Sequence, residues 1–193
     1  DELIAGGGSA KARSHVHQTR GAFLAKAGRL EEAEADFDAA IALTPEAGTA
    51  YVNRGNYYSL RGDRERAMAN YETALELDPE DNAAMNNMAW ELAKYGDYQA
   101  AADIMATVLV SVPYHPGAHD TSAHALMGLG RQAEAEAAFE RAAELGGPNR
   151  VRRYQAALVA AGYDPGRTDG VFDAATRAAL SACVRDNCRL MLN

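Results

Sequence analysis

The sequence predicts an all-α fold assembled from four copies of one helix-turn-helix unit, and three observations carry that prediction. The 193 residues are 48 % hydrophobic but only 7 % aromatic, with abundant Ala and few β-branched residues, a bias that favours helix over strand and still permits a buried core. Blocks of 34 residues starting at Ser14, Gly48, Asn82 and Pro116 repeat the same residue types in register without a gap, the signature of a stacked repeat array. Turn signals then recur at fixed places inside every block, so the period is structural rather than compositional.

The elements follow in order within the block. Small residues stand at Gly21, Gly55, Ala89 and Ala123, where the first helix (helix A) presses on the second (helix B). Gly28, Gly62, Gly96 and Gly130 supply the left-handed residue that ends helix A. Ala33, Ala67, Ala101 and Ala135 form the next small column. The bulky column Phe37, Tyr71, Met105 and Phe139 fills the space between blocks, and Ala40, Ala74, Val108 and Ala142 lie one turn further on. Pro45, Pro79 and Pro113, with Gly147-Pro148 in the fourth block, stop helix B, because proline cannot continue the ladder.

Six columns agreeing over residues 14–149 resemble the tetratricopeptide repeat (TPR) family. The resemblance implies a right-handed superhelix of four repeats (14–47, 48–81, 82–115 and 116–149) whose concave groove, lined mainly by the A helices, holds a protein or peptide segment. Projected onto this sequence, the groove face comprises Gln18 and Lys26, Val52, Asn53 and Asn56, Asn86, Asn87, Trp90 and Lys94, and Asp120 and His124, with His15 and Ala22 beside the first pair. Asn side chains there suit a peptide, since each both donates to and accepts from its backbone. Trp90 follows the small-column Ala89, so helical geometry turns it to the groove as a candidate anchor. The chaperone-tail clamp of some TPR proteins does not carry over, because Gln18, Ala22, Gly117 and Thr121 stand where its pattern needs other residues.

Charge narrows the partners. Residues 14–149 carry 21 acidic and 10 basic side chains, net −11, whereas residues 150–193 carry 4 and 7, net +3. The acidic body argues against nucleic acid, whose phosphates need a basic face. No apolar run approaches the roughly 18 residues of a membrane span. His115, His119 and His124 have a spacing that a metal can use, but His119 falls in a packing column and no Cys is near, so no metal is expected. No nucleophile motif or phosphate loop is present. The reading is therefore non-enzymatic, with no cofactor. The chain starts at Asp1 and runs through Gly6-Gly7-Gly8-Ser9, so residues 1–13 read as a flexible segment and the start as processed or trimmed.

After Gly146-Gly147-Pro148 the pattern changes. Val151 to Ala161 reads as a helix with Val151, Tyr154, Leu158 and Ala161 on one face; turn residues follow, and Asp173 can cap a second helix through Ala179-Leu180. The stretch Tyr154-Gln155-x-x-Leu158, Gly162-Tyr163-Asp164-Pro165-Gly166, Asp169-Gly170-Val171-Phe172 and Thr176-Arg177-Ala178-Ala179-Leu180 resembles the peptidoglycan-binding-like domain of bacterial envelope proteins. That resemblance implies a helical module over 150–193. In it Asp169-Gly170 makes the turn, Phe172 plugs the small core, Thr176 bonds loop backbone, and Tyr163 and Arg177 complete the motif. It departs from the family at Asp173, where glycine is usual, and in its final residues, so it is read as a peptidoglycan contact or as a cap on the last repeat.

Cys183 and Cys188 are the only cysteines. They cannot meet within one continuous helix but can if the helix ends at Asp186-Asn187, and closing so short a loop contributes about 2 kcal/mol on the chain-entropy estimate. A disulfide there fits an oxidising compartment; the alternative is two reduced thiols. Together these readings give a periplasmic scaffold of the bacterial cell envelope, binding a protein in its groove and peptidoglycan through its tail. The alternative is a cytoplasmic adaptor whose last helices only cap the solenoid.

Overall fold

A computed structural model describes residues 8–188 and residue 190. Among them are the helices α1 (Ala10–Lys26), α2 (Leu30–Leu43), α3 (Gly48–Leu60), α4 (Arg64–Leu77), α5 (Asn82–Lys94), α6 (Tyr98–Ser111), α7 (Pro116–Gly128), α8 (Gln132–Ala160) and α9 (Ala174–Arg185), and no strand occurs among the described residues. The fold is all-α and of the TPR kind. The chain divides into two compact units, residues 1–91 and 92–193.

The first unit holds α1 to α4 and most of α5. Helix α1 begins at Ala10, because Ser9 accepts a cap hydrogen bond from the Ala12 amide at 3.2 Å. Residues 10–13, expected to be flexible, are therefore helical, while residues 1–7 lie outside the described residues. The repeat columns do what their sizes demand. Ala33, Phe37, Ala40, Ala67, Tyr71 and Ala74 are all at most 1 % exposed. A Cβ on Gly55 would come within 2.5 Å of the Tyr71 ring, closer than real Cβ contacts allow, so the column admits only glycine or a slightly displaced Ala. Gly62, at φ 73°, closes α3: its amide reaches Ser59 O and the Asp63 amide reaches Tyr58 O, the paired bonds of a Schellman cap.

A buried acid braces the first hairpin. Asp36 on α2 accepts two hydrogen bonds from Arg20, each 2.6 Å, and pairs with His17 Nδ1 at 2.7 Å. Burial pushes the Asp36 carboxyl up, but these partners outweigh it and hold it below the ordinary aspartate range. A depressed acid adds stability that is fully present above the unfolded value of about 4 and is lost as pH falls through the folded one. We therefore expect Asp36→Asn to weaken the first unit by about 2 kcal/mol at pH 7, with the deficit vanishing near pH 2. Urea midpoints at both pH values check this; a deficit unchanged by pH would refute it.

The second unit holds the remainder of α5 and α6 to α9 around one core. That core runs from Ala123 and Phe139 through Val151, Tyr154 and Leu158 to Leu180, Cys183 and Leu190. Helix α8 is broken at Gly147 (φ 64°, ψ −165°), where the sequence closes its fourth block. Residues 148–160 then pack on α7. Val151, Tyr154 and Leu158 are buried as expected, whereas Ala161 is an exposed cap residue. Asp173 caps α9 by accepting from the Thr176 amide at 2.9 Å.

Helix α9 ends in the same kind of cap as the repeats, with Asn187 at φ 50° in the glycine position. The Cys188 amide reaches Cys183 O at 2.9 Å and the Asn187 amide reaches Val184 O at 3.1 Å. Cys183 and Cys188 are joined as a disulfide, Cα atoms 5.0 Å apart. They occupy the two cap positions that usually hold a hydrophobic contact, which explains how cysteines five apart meet.

Candidate interaction faces of the repeats and the C-terminal module

The polar face of the first unit is assembled from α1, α3 and α5. The sixth position of the second and third blocks supplies Asn53 and Asn87, and the ninth of the second supplies Asn56. The Asn53 amide donates to Gln18 Oε1 at 2.8 Å, and Gln18 in turn donates to Ser14 at 3.1 Å. One turn along, Asn56 Oδ1 accepts from Asn87 at 2.8 Å and from the Tyr71 hydroxyl at 2.9 Å. Burial first, then the Glu91 carboxylate, pushes the Tyr71 hydroxyl far above its ordinary pKa, so it remains a donor. Ser59 hydrogen-bonds Glu91 beside it. These amides are oriented before any partner arrives, which lowers the entropy cost of binding.

Next to the ladder lies a pocket of about 400 Å³ lined by His15, Gln18, Thr19, Ala22, Phe23, Lys26 and Asn53. The structure brings Gln18, Lys26 and Asn53 together, and adds Phe23, 71 % exposed. Phe23 escaped the sequence reading, although its register equivalent, Tyr57, flags the position: Tyr57 is buried 5.5 Å from the Phe37 ring. Trp90 is half-buried on α5. Lys94 belongs to the second unit, its ammonium 5.3 Å from the Tyr95 ring.

Three expected groove residues are engaged within the chain itself. Val52 is 7 % exposed and packs with Ala74 and Ala84. Asp120, also 7 % exposed, is paired with Arg150 and accepts from the Tyr154 hydroxyl. Both stand at the fifth block position, where Gln18 likewise bonds the following A helix through Asn53. Gln18 meets Asn53, Val52 meets Ala84, and Asp120 meets the helix 148–160, which stands where a fifth helix A would. Polarity in the column suggested a groove, but the polar groups are spent across the helix contact. His124 does occupy the groove column, yet its Nε2 is 2.7 Å from Leu190 O and its Nδ1 2.8 Å from Asp120 O. Burial lowers its proton affinity, opposed by the Leu190 carbonyl. The chain's own C-terminal segment covers this position.

The other two histidines of that run have structural roles. His115 Nδ1 caps α7 by accepting from the Ala118 amide at 3.1 Å, and His119 lies 2.9 Å from Pro113 O. Among the described residues no cluster of three His, Cys, Asp or Glu side chains could hold a metal. No described helix is long and apolar enough to cross a membrane.

In the C-terminal module the motif residues converge on Gln155, which is fully buried. Its Oε1 accepts from the Gly170 amide at 2.9 Å, and its Nε2 donates to Val171 O at 3.0 Å and Thr176 Oγ1 at 3.1 Å. Thr176 donates on to Pro165 O at 3.2 Å. Gly170 sits at φ 89°, and a Cβ there would approach Pro148 O to 2.6 Å. Asp169 Oδ1 turns the loop by accepting from the Val171 amide. Phe172 is half-buried against the core, with the Arg177 guanidinium 5.3 Å from its ring and Arg177 bridged to Glu140 at 2.6 Å. Tyr163 donates to Asp186 at 2.9 Å. Gln155 was quoted in the sequence pattern without a role; its place as the hub depends on loop residues that fold back over it.

These features define a TPR protein that ends in a peptidoglycan-binding-like module, a class whose repeats bind protein partners. Tetratricopeptide repeat models match residues 21–63, 49–81 and 117–145, and the putative peptidoglycan binding domain matches residues 147–183. That last match begins at the Gly147 break and stops before Cys188. None of the curated proteins matches the chain. Among solved structures it is similar to MamA 41-end from Desulfovibrio magneticus RS-1 (19 % identity, 90 % of this chain and 93 % of that one, TM-score 0.62). It is also similar to pilF of Pseudomonas aeruginosa (18 %, 77 % and 66 %, 0.65) and to a thermophilic TPR protein of Thermus thermophilus (18 %, 75 % and 79 %, 0.64). At these identities the likeness shows the fold alone.

Proposed function

We propose that the chain is a scaffold of the bacterial cell envelope. The amide ladder and pocket of the first unit hold an extended peptide of a protein partner, and the C-terminal module touches peptidoglycan. The observation that carries the peptide reading is the pair of fixed amides, Asn53 and Asn56, beside a pocket with an exposed aromatic ring and Lys26. Fixed amides suit a peptide backbone, Phe23 offers an apolar contact, and Lys26 has no ion-pair partner among the described residues. The peptidoglycan reading is supported by the domain match and the basic balance of the tail. The disulfide is what an exported chain would carry.

Heptapeptides selected from a random displayed library on the whole chain test the ladder. Asn53→Ala is expected to weaken the selected peptides about tenfold, the loss of one or two hydrogen bonds. Selected peptides that bind the variant within twofold of the parent would place the site elsewhere. Co-sedimentation of the whole chain with purified peptidoglycan, run alongside, separates a wall-contacting tail from one that is only a cap.

A further inference from the structure

The groove columns of α7 are covered where those of α1 and α3 are accessible. At the sixth and twelfth block positions Thr19 is exposed and Asn53, Ala25 and Ser59 are half-buried, whereas Thr121 and Met127 on α7 are buried. Between these two, at the ninth position, His124 Nε2 is 2.7 Å from Leu190 O. Leu190 stands outside any helix and is fully buried, in the core that includes Met127, Phe139 and Val184. It lies ten residues beyond Leu180, the last residue of the module's motif, and the Gln155 hub makes no bond to it. A backbone oxygen met by a groove side chain, with an apolar side chain sunk beside it, is the pair of contacts by which a groove holds a peptide. Two constraints keep the segment there. Helix α9 ends in the cap at Asn187, and the disulfide ties Cys188, two residues before Leu190, to the buried Cys183.

We propose that the groove of the fourth repeat is a second peptide site, for a leucine-bearing segment of a partner protein, and that Leu190 fills it as an internal stand-in which the partner must displace. The occupant is defined by what already sits there: a leucine for the apolar core, a carbonyl for His124, and backbone that is not helical. A short tether holds a segment at an effective concentration of roughly 1 mM, so a partner peptide that binds the vacated site at about 100 µM is weakened about tenfold while Leu190 is in place. The site belongs wholly to the second unit, so it stands or falls independently of the amide ladder of the first.

Fluorescence polarisation of a labelled peptide of residues 187–193, carrying Cys188→Ser so that it cannot crosslink, tests this on the whole chain. The wild-type chain is expected to bind the probe at least about tenfold more weakly than two full-length variants. One is Leu190→Asp, which expels the anchor; the other is Cys183→Ala with Cys188→Ser, which unties it. Both should keep wild-type helicity by circular dichroism. Adding His124→Ala to Leu190→Asp should abolish the gain. A probe that gains affinity in neither variant overturns the proposal, because Leu190 then blocks nothing. A gain that survives His124→Ala overturns it too, by placing the probe away from α7.

Discussion

Replacing Gln155 with Leu is expected to release the C-terminal module from the second unit while the first unit stays folded. Leu matches the side chain in bulk but satisfies none of its three hydrogen bonds. The Gly170 amide loses its partner, Val171 O keeps only a 3.5 Å contact with Thr176, and Thr176 Oγ1 loses a donor. Buried groups stranded in this way cost about 1–3 kcal/mol each, so the deficit is about 4 kcal/mol. The loop cannot relax into water cheaply, because Gly170 is itself buried against Pro148 and Arg152. Hydrogen exchange over α9 reads the effect, with protection there lost and protection in α2 and α4 retained. Exchange of α9 within about 0.5 kcal/mol of wild type, the scatter of an ordinary surface substitution, would mean that apolar packing alone holds the module.

The second large effect is expected at Asp120. Its carboxylate is the counter-charge of Arg150, whose side chain is 13 % exposed, and the acceptor of Tyr154, which is fully buried. Burial raises the Tyr154 pKa, so the hydroxyl remains a donor that needs this acceptor. Asp120→Ala strands a nearly buried guanidinium and a buried hydroxyl together, at a cost of about 3–5 kcal/mol. Asp120→Asn should cost less, since it keeps an acceptor for Tyr154. Replacing both charges, with Asp120→Leu and Arg150→Met, should recover most of the loss, because the pair also carries a desolvation cost. Denaturant titration followed by circular dichroism separates the three variants. A double variant no better than Asp120→Ala would mean that the site depends on the charges themselves.

Both effects concern the junction between the last repeat and the module, and there sequence and structure divide. In the repeats, register fixed each residue's neighbour, so Gly55 against Tyr71 and the left-handed Gly62 were legible from column membership alone. The module's turn and its capped helix were equally legible, since Asp169-Gly170 and Asp173 act on backbone a few residues away. The first pocket was legible in part: Gln18, Lys26 and Asn53 were expected together, whereas Phe23 was missed because its column is buried in the next block.

The sequence by itself determined the all-α class, the repeat period, the break at Gly147-Pro148 and the family character of the tail, because each rests on local spacing and backbone preference. Only the tertiary structure decided where polar residues of the A helices point. A helix has one period but several neighbours, and nothing local distinguishes a side chain facing solvent from one facing the next helix. Val52 and Asp120 went to the helix contact, and His124 went to the chain's own Leu190. Gln155 became the hub of the module because loop residues distant in sequence folded over it and brought the Gly170 amide, Val171 O and Thr176 Oγ1 within reach of its side-chain amide.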